Sequence, residues 1–410
     1  MKILILTQRW YPDTFGGSEH VAAEQAKRLA QRGHQVSVLT EYTQGHLAPQ
    51  ERERYPTGGE LFLARYGQPE QFQKWGSSLI DLLVLPKLIK KLHQEKNFEV
   101  AILHHPYPAY AFFLTKLKIP SLYLFHASTA REAEIEGLRR RFTGLWQLGR
   151  PFLVNGFIII TRLIEKRVLK QAKRIAVFSD YSFNLLQEIY PQPKEKILKL
   201  PVGIETEQFT LPLNKEEAKQ RLGFNPHRLI ILTVRRLTAR MGLTELLYAS
   251  LQLREVFPEA QVLIIGEGPL REALSNEIDQ LNLRNFVSLV GKVPLKDLPL
   301  YYQAADVFVL PTTAFEGLGM ATLEALASGL PVVGTPVGAT PEILNKISPR
   351  LLTKGEKAED IAQGLIGFLS LPQEERELLG KKCRRLAETD YNWDKAIDNL
   401  ELVLKQLLAS

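Results

Sequence analysis

Short apolar runs recur along the first half of the chain, and most are followed by a stretch with helical spacing. Lys2-Ile3-Leu4-Ile5-Leu6-Thr7 opens the series. A run that is apolar at consecutive positions, rather than alternating ones, predicts a parallel strand buried on both faces. Ser18 then begins a helix with Val21, Ala22, Leu29 and Ala30 on one side, and Gly33 ends it. Further strands are predicted at 35–40, 61–65, 100–105, 121–127, 174–179 and 196–201. The second half repeats the pattern, with strands at 229–234, 261–266, 286–291, 306–311 and 331–336. Helices are predicted after them at 242–256, 269–281, 295–304, 318–328 and 341–345, and residues 357–409 read as helices only. Strands alternating with helices imply a parallel sheet covered on both faces. The segment 201–228 holds Pro201, Gly203, Pro212, Gly223 and Pro226 without a strong strand, and reads as a linker. The fold class is therefore α/β, with two doubly wound Rossmann-like domains at 1–205 and 206–389.

Composition adds little to this except in its charge. A length of 410 residues suits two domains, and 45% apolar with 24% charged residues is a soluble globular balance. The single cysteine, Cys383, excludes a disulfide scaffold. The apolar run after Lys2 is too short for a signal peptide, and Phe157–Ile160 falls far short of the roughly 20 residues of a spanning helix. Residues 1–200 hold 29 basic and 18 acidic residues, a net of +11, whereas 201–410 hold 23 and 27, a net of −4. A basic first half suits an anionic partner such as a membrane surface or phosphates. The charge concentrates in 131–174, with 11 Arg and Lys against 4 Glu and with Phe142, Leu145, Trp146, Leu148, Phe152 and Leu153 interleaved. That mixture suits an anionic membrane surface. The plainer alternative is a helical hairpin with a solvated basic face. No groove-reading or stacking motif points to nucleic acid.

Ligands of doubly wound sheets bind at the carboxyl ends of the strands, so those ends are where chemistry is expected. The richest is Phe315-Glu316-Gly317-Leu318-Gly319-Met320-Ala321-Thr322-Leu323-Glu324, which follows one strand and opens a helix. Gly317 and Gly319 let backbone N–H groups approach a ligand, and a helix amino end favours a diphosphate. Glu316 sits on the loop and Glu324 on the helix, so the two carboxylates address different parts of one ligand. An ordinary glycine turn with a solvated Glu324 is the plain alternative. The apolar neighbours Met320, Leu323, Leu326 and Ala327 speak against it. Gly16-Gly17 precede the first helix, as either an anion-meeting loop or a simple turn. Gly266 and Gly268 follow another strand, but a third glycine is missing because position 271 is Arg, which disfavours a dinucleotide fingerprint. His126 ends a strand, with His104 and His105 as competitors. No His or Cys spacing reads as a zinc site and no Asp-x-Asp pair is present, so metal independence is expected, with no cofactor.

The segment FEGLGMATLEALASGLPVVGTPVGATPEIL strongly resembles the donor-site signature of the retaining glycosyltransferases of family four, which have the two-domain GT-B fold. The pattern is Glu, seven residues, Glu, a small-residue stretch, then Pro-Val-Val. The resemblance implies that the two domains face each other across a cleft. It implies that Glu316 contacts the donor sugar, that Glu324 binds the nucleotide ribose, and that the amides of Gly317, Leu318, Gly319, Met320 and Ala321 face the sugar and diphosphate. It places the Gly17 loop against the donor phosphates and acceptor, Gly266 and Gly268 at the nucleotide, and His126 at the sugar. In Arg236-Leu237-Thr238-Ala239-Arg240-Met241-Gly242 it implies that Arg236 neutralises the diphosphate. The lysine expected at 241 is Met241, so Arg240 or Arg235 supplies the second charge, or the site is undercharged. Tyr391-Asn392-Trp393 resembles the segment that leads a last helix, about 390–410, back over the first domain. The implied activity is transfer of a sugar, with retention, from a nucleotide-diphosphate sugar to an unknown hydroxyl acceptor, lipid-linked or a polysaccharide precursor. The expected place is the cytoplasm, peripheral on the inner face of the membrane. A GT-B epimerase acting on the nucleotide sugar, or a non-catalytic binder, remains the alternative.

Overall fold

The computed structural model describes residues 1–13, 16–43, 48–67, 77–141 and 151–409. It divides into two compact units. The first takes in Met1–Gly137, Gly144–Val202 and Asp394–Ser410, and the second Leu138–Thr143 and Gly203–Trp393. The divisions fall three residues before the expected 205/206 and four after the expected 389/390. Close packing at the junction accounts for the offset: a Cβ on Gly203 would lie 2.3 Å from Trp393 Cγ, and Ile204 N–H donates to Tyr391 O at 2.8 Å.

In the first unit the order is β1 (Lys2–Leu6), α1 (Gly17–Gln31), β2 (Gln35–Glu41), β3 (Gln50–Arg54), β4 (Glu60–Tyr66), α2 (Ser77–Lys96) and β5 (Val100–Leu103). Then come α3 (Pro106–Leu114), β6 (Ser121–Leu124), α4 (Thr129–Arg141), α5 (Pro151–Gln171), β7 (Arg174–Val177), α6 (Asp180–Ile189) and β8 (Ile197–Lys199). The sheet order is β3-β4-β2-β1-β5-β6-β7-β8, parallel except for the β3–β4 pair. Ile3, Leu4, Ile5 and Leu6 are fully buried, as a central strand covered on both faces requires. The antiparallel β3 was not expected. Its sequence, QERER, is exposed throughout, so no apolar pattern marks it, and its charges blunt the open edge of the sheet.

The second unit runs α7 (Lys215–Arg221), β9 (Ile230–Val234), α8 (Leu243–Val256), β10 (Gln261–Ile265), α9 (Arg271–Gln280), β11 (Val287–Gly291), α10 (Leu298–Ala304) and β12 (Val307–Leu310). It continues with α11 (Met320–Ala327), β13 (Val332–Gly334), α12 (Thr340–Leu344), α13 (Ala358–Leu369) and α14 (Gln373–Asp390). Its five strands are all parallel, in the order β11-β10-β9-β12-β13. The expected linker is not all coil. It contains α7, which Lys219 ties to Asp306 at 2.9 Å.

The last helix, α15 (Trp393–Ala409), belongs to the first unit from Asp394 onward. Ile397, Leu400, Leu404 and Leu407 are buried at helical spacing, and the residues just after α1 clamp the outer face. Arg32 Nη1 donates to Asp398 Oδ1 at 2.5 Å, and His34 Nε2 lies 3.0 Å from Glu401 Oε1.

Sequence order reverses beside one strand in each sheet. In the first sheet β1 lies between β2 and β5; in the second β9 lies between β10 and β12. Such switch points are where doubly wound sheets hold ligands.

Candidate functional site

At the second switch point the chain leaving β9 is Arg235-Arg236, and the chain leaving β12 is Pro311-Thr312-Thr313 followed by the glycine-rich loop. Arg235 turns inward. Its Nη2 donates to Thr312 Oγ1 at 2.9 Å and to Glu316 Oε2 at 3.0 Å. Thr312 Oγ1 also donates to Glu316 Oε2, at 3.1 Å. Burial lowers the Arg235 pKa, and the Glu316 carboxylate opposes that shift. Arg236 is exposed and makes no side-chain hydrogen bond or ion pair among the described residues. Arg240 Nη1 donates to Phe315 O at 2.6 Å.

The loop 311–319 is pinned from two sides. Thr313 N–H donates to Arg240 O and Ala339 N–H to Glu316 O, at 3.0 and 2.8 Å. Gly338 has φ +65°, and a Cβ there would lie 2.1 Å from Glu316 O, so only glycine admits this approach. Gly319, at φ +78°, caps α11, and the first amides of that helix point out of its amino end. Glu324, 8% exposed, is not solvated: Tyr302 Oη donates to its Oε2 at 2.6 Å. Burial of the Tyr302 phenol itself, then the negative charge of Glu324, pushes that phenol well above its usual pKa.

Gly266 and Gly268 have a packing reason as well as any ligand role. The exits of β9 and β10 are zipped by Arg235 N–H to Ile265 O and Leu237 N–H to Glu267 O, at 2.9 and 3.0 Å. A Cβ on Gly268 would meet Leu237 O at 2.5 Å.

The first unit is different in kind. His126 lies two residues past the end of β6, beyond the strand in which it was expected, because pairing stops at Leu124. Its Nε2 is 3.1 Å from His104 Nδ1, and its ring lies 6.0 Å from His105 and 5.0 Å from Phe178 between centroids. Burial first, then the neighbouring imidazole of His105, lowers the His126 pKa to about 3. His104 and His105 are lowered too, with burial as the main cause. Gly17 is the first residue of α1, and Ser18 Oγ donates to Glu19 Oε2 at 2.8 Å. Thr14 and Phe15 of this loop lie outside the described residues, as do the side chains of Arg139 to Leu153 in the basic segment.

Two family models match this chain and together take in most of it. Glycosyl transferases group 1 matches residues 214–392, and Glycosyltransferase Family 4 matches residues 15–208. The chain belongs to this glycosyltransferase family. Among curated relatives, a GDP-mannose-dependent monoacylated alpha-(1-6)-phosphatidylinositol monomannoside mannosyltransferase of Corynebacterium glutamicum is 28% identical over 214 residues, 50% of this chain and 55% of that one. The putative colanic acid biosynthesis glycosyltransferase WcaL of Escherichia coli is 31% identical over 205 residues, 49% and 48% of the two chains. The chain thus spans about half the length of the curated relatives it matches. Among solved structures, the sucrose-phosphate synthase of Thermosynechococcus elongatus superposes with TM-score 0.80 at 20% identity, covering 100% of this chain and 99% of that one. Anabaena HepE in complex with UDP-glucose gives 0.73 at 16%, covering 99% and 100%. These likenesses establish the GT-B fold.

Sequence reasoning singled out Glu316, Glu324, Gly317 to Ala321, Arg240, Gly266 and Gly268, and the structure brings them together around the ends of β9, β10 and β12. It missed Thr312, Tyr302 and Gly338. Only Gly338 carried a signal, as a glycine two residues past the Pro-Val-Val-Gly-Thr-Pro strand.

Proposed function

We propose that the protein moves a hexosyl group from a nucleotide-diphosphate sugar to a hydroxyl acceptor, with retention of anomeric configuration. The observation that supports this best is the convergence at the β9–β12 switch point of arginines, the open amino end of α11, and two carboxylates. Cations and helix amides suit a diphosphate, and carboxylates suit hydroxyl groups. In the reaction the bond from the anomeric carbon to the phosphate oxygen breaks, and the acceptor oxygen bonds to the same face. The acceptor proton passes to the departing phosphate. Arg236 and the amides of Gly317 to Ala321 would stabilise the charge that grows on that phosphate. Glu316 would hold sugar hydroxyls and Glu324 the ribose. His126, kept neutral by burial, offers the sugar a hydrogen bond without adding charge. No metal enters this scheme, because guanidinium groups do the neutralising, and EDTA should leave turnover unchanged.

GDP-mannose is the first donor to test, since the Corynebacterium relative and two mycobacterial ones carry that donor in their names. A thermal-shift and turnover screen of GDP-, UDP- and ADP-sugars tests the reading. A preferred ligand at 100 times its Kd should stabilise by about 2.7 kcal/mol. A chain that neither binds nor turns over any of them is not this enzyme.

The acceptor is proposed to lie at a membrane. No helix among the described residues is long and apolar enough to span one, so attachment would be peripheral. On α5, Ile159, Ile160 and Leu163 are exposed, and Arg162, Lys166, Arg167 and Lys170 follow or flank them. This order suits apolar insertion beneath a layer of anionic headgroups. Flotation with phosphatidylglycerol vesicles at low salt should carry the protein upward, and neutralising Lys166, Arg167 and Lys170 should release it. Protein that stays with the soluble fraction rejects the attachment.

A further inference from the structure

Adjacent arginines look alike in a sequence, yet Arg235 and Arg236 end in opposite surroundings. The Arg235 side chain is 5% exposed. Its Nη2 alone serves both Thr312 and Glu316, while Nε and Nη1 are buried and meet no acceptor among the described residues. A guanidinium carries five N–H donors in a fixed fork, so most of this one is unspent. Buried charged donors left without partners are costly, which points to an acceptor group supplied from outside the chain. The charge count agrees. Arg235 and Arg240 bring +2 against −1 on Glu316, so the cluster keeps a net +1. Nothing at 241 adds to it, since Met241 is uncharged and only 8% exposed.

We propose that Arg235, beside Arg236, grips the phosphates of the chain's nucleoside diphosphate: Nε and Nη1 each reach a separate phosphoryl oxygen while Nη2 keeps Glu316 in place. The proposal rests on the donor reading above and names the cation that the sequence leaves open. Both parallel edges of a guanidinium include Nη2, so the free Nε–H and Nη1–H bonds diverge and suit separate oxygens of a diphosphate, each as a charge-assisted hydrogen bond. The strand end beneath is rigid. Arg235 N–H donates to Ile265 O at 2.9 Å, and Gly266 approaches so closely that a Cβ on it would lie 2.0 Å from Arg235 O. One guanidinium thereby joins the phosphate side of the ligand to the carboxylate assigned to the sugar side.

Calorimetric titration with GDP, UDP and ADP, each beside its nucleoside, tests this. Arg235→Gln should weaken the preferred diphosphate about 10- to 100-fold, the range of a lost charge-assisted pair, and leave the nucleoside nearly unchanged. A residue that merely positions Glu316 would give a different result in a Glu316→Gln background, where no carboxylate needs holding. We expect the double variant to bind the diphosphate at least about tenfold more weakly than Glu316→Gln alone. That background also removes the unpaired buried carboxylate that could unfold the single variant. Equal affinities of the double variant and Glu316→Gln, or an unchanged affinity in Arg235→Gln, overturn the proposal. A wild-type chain that binds none of the three diphosphates removes the donor reading itself, and this inference falls with it.

Discussion

The two sheets share one plan, yet the ends of their central strands gather opposite chemistry. Past β5 and β6 stand three imidazoles, His104, His105 and His126, all made harder to protonate by burial. Past β9 and β12 stand guanidinium and carboxylate groups, Arg235 paired with Glu316 and Arg240 bonded to the Phe315 carbonyl. Burying a charge is tolerable only with a partner, so a neutral site and a charged site are the two stable outcomes of burial. A neutral site can be assembled from residues that merely sit at strand ends. A charged one needs a loop held in place around it, which is why the second unit spends Gly242, Gly266, Gly319 and Gly338, all at positive φ, around its arginines.

The largest effect should come from disturbing that loop. Gly338→Ala combines left-handed backbone strain with a Cβ 2.1 Å from Glu316 O. At about 1–3 kcal/mol for each of strain and overpacking, the second unit should lose about 4 kcal/mol. Urea unfolding followed by unit-resolved hydrogen exchange should show the β9–β13 sheet losing protection while the first sheet keeps its own. A loss shared equally by both sheets contradicts a locally held charged loop.

Next in size is Arg235→Met, which leaves Glu316 buried beside Thr312 without its cation. Removing one member of such a pair costs about 3 kcal/mol. Adding Glu316→Gln should recover most of that. Recovery of nothing means that the pair is not what stabilises the loop.

This contrast explains what could be read in advance. Glycine spacing, helix starts and carboxylates on apolar helices are local patterns, so the Phe315–Glu324 segment and the doubly wound order were visible in the residues alone. Which of Arg235 and Arg236 turns inward depends on how β9 pairs with β10 and β12, and no local pattern records that. Tyr302 reaches Glu324 from α10, standing 18 residues before α11 begins, and as a lone tyrosine it carried no mark. β3 escaped because its alternating charges have no apolar face to give a period. His126 was read as the end of a strand because Phe125 and Ala127 extend the apolar run past the last paired residue.

Acid should separate the two regions more gently. The histidines have folded pKa values below the unfolded 6.5, so their neutral forms contribute stability fully above that pH, and it is lost as pH falls through the folded values. For His126 the loss continues toward pH 3. Each histidine contributes up to about 1.4 kcal/mol per pH unit over this window. Arg9 lowers and Glu19 raises the His105 pKa, so they partly cancel. Glu165 works in the opposite sense. Its buried carboxyl titrates above the usual value, so its contribution is greatest at low pH and is lost as pH rises through the raised pKa. Between pH 6.5 and 5 the histidines therefore dominate. Hydrogen exchange should show β1, β5 and β6 weakening in that window while β9 and β12, whose arginines stay protonated, do not. Equal weakening of both sheets would falsify the distinction.

The smallest change is Tyr302→Phe, which tests how finely the charged site is tuned. Tyr302 Oη donates to Glu324 Oε2 at 2.6 Å, and its ring is held edge-on to Phe209 and stacked on Phe308, at 5.6 and 5.8 Å between centroids. The substitution keeps both ring contacts and removes one hydrogen bond to a carboxylate. Stability should therefore fall by only about 1 kcal/mol. If Glu324 holds a ribose, its orientation now depends on its remaining contacts alone, and affinity for nucleoside and nucleoside diphosphate should fall together, each by about fivefold. That parallel loss is the signature to look for. Arg235→Gln should move only the diphosphate, so the pair of variants divides the ligand into a ribose end and a phosphate end. A Tyr302→Phe variant that loses diphosphate affinity but binds the nucleoside as well as the wild type would remove Glu324 from the ribose, because a nucleoside carries the whole ribose and should feel any loss there.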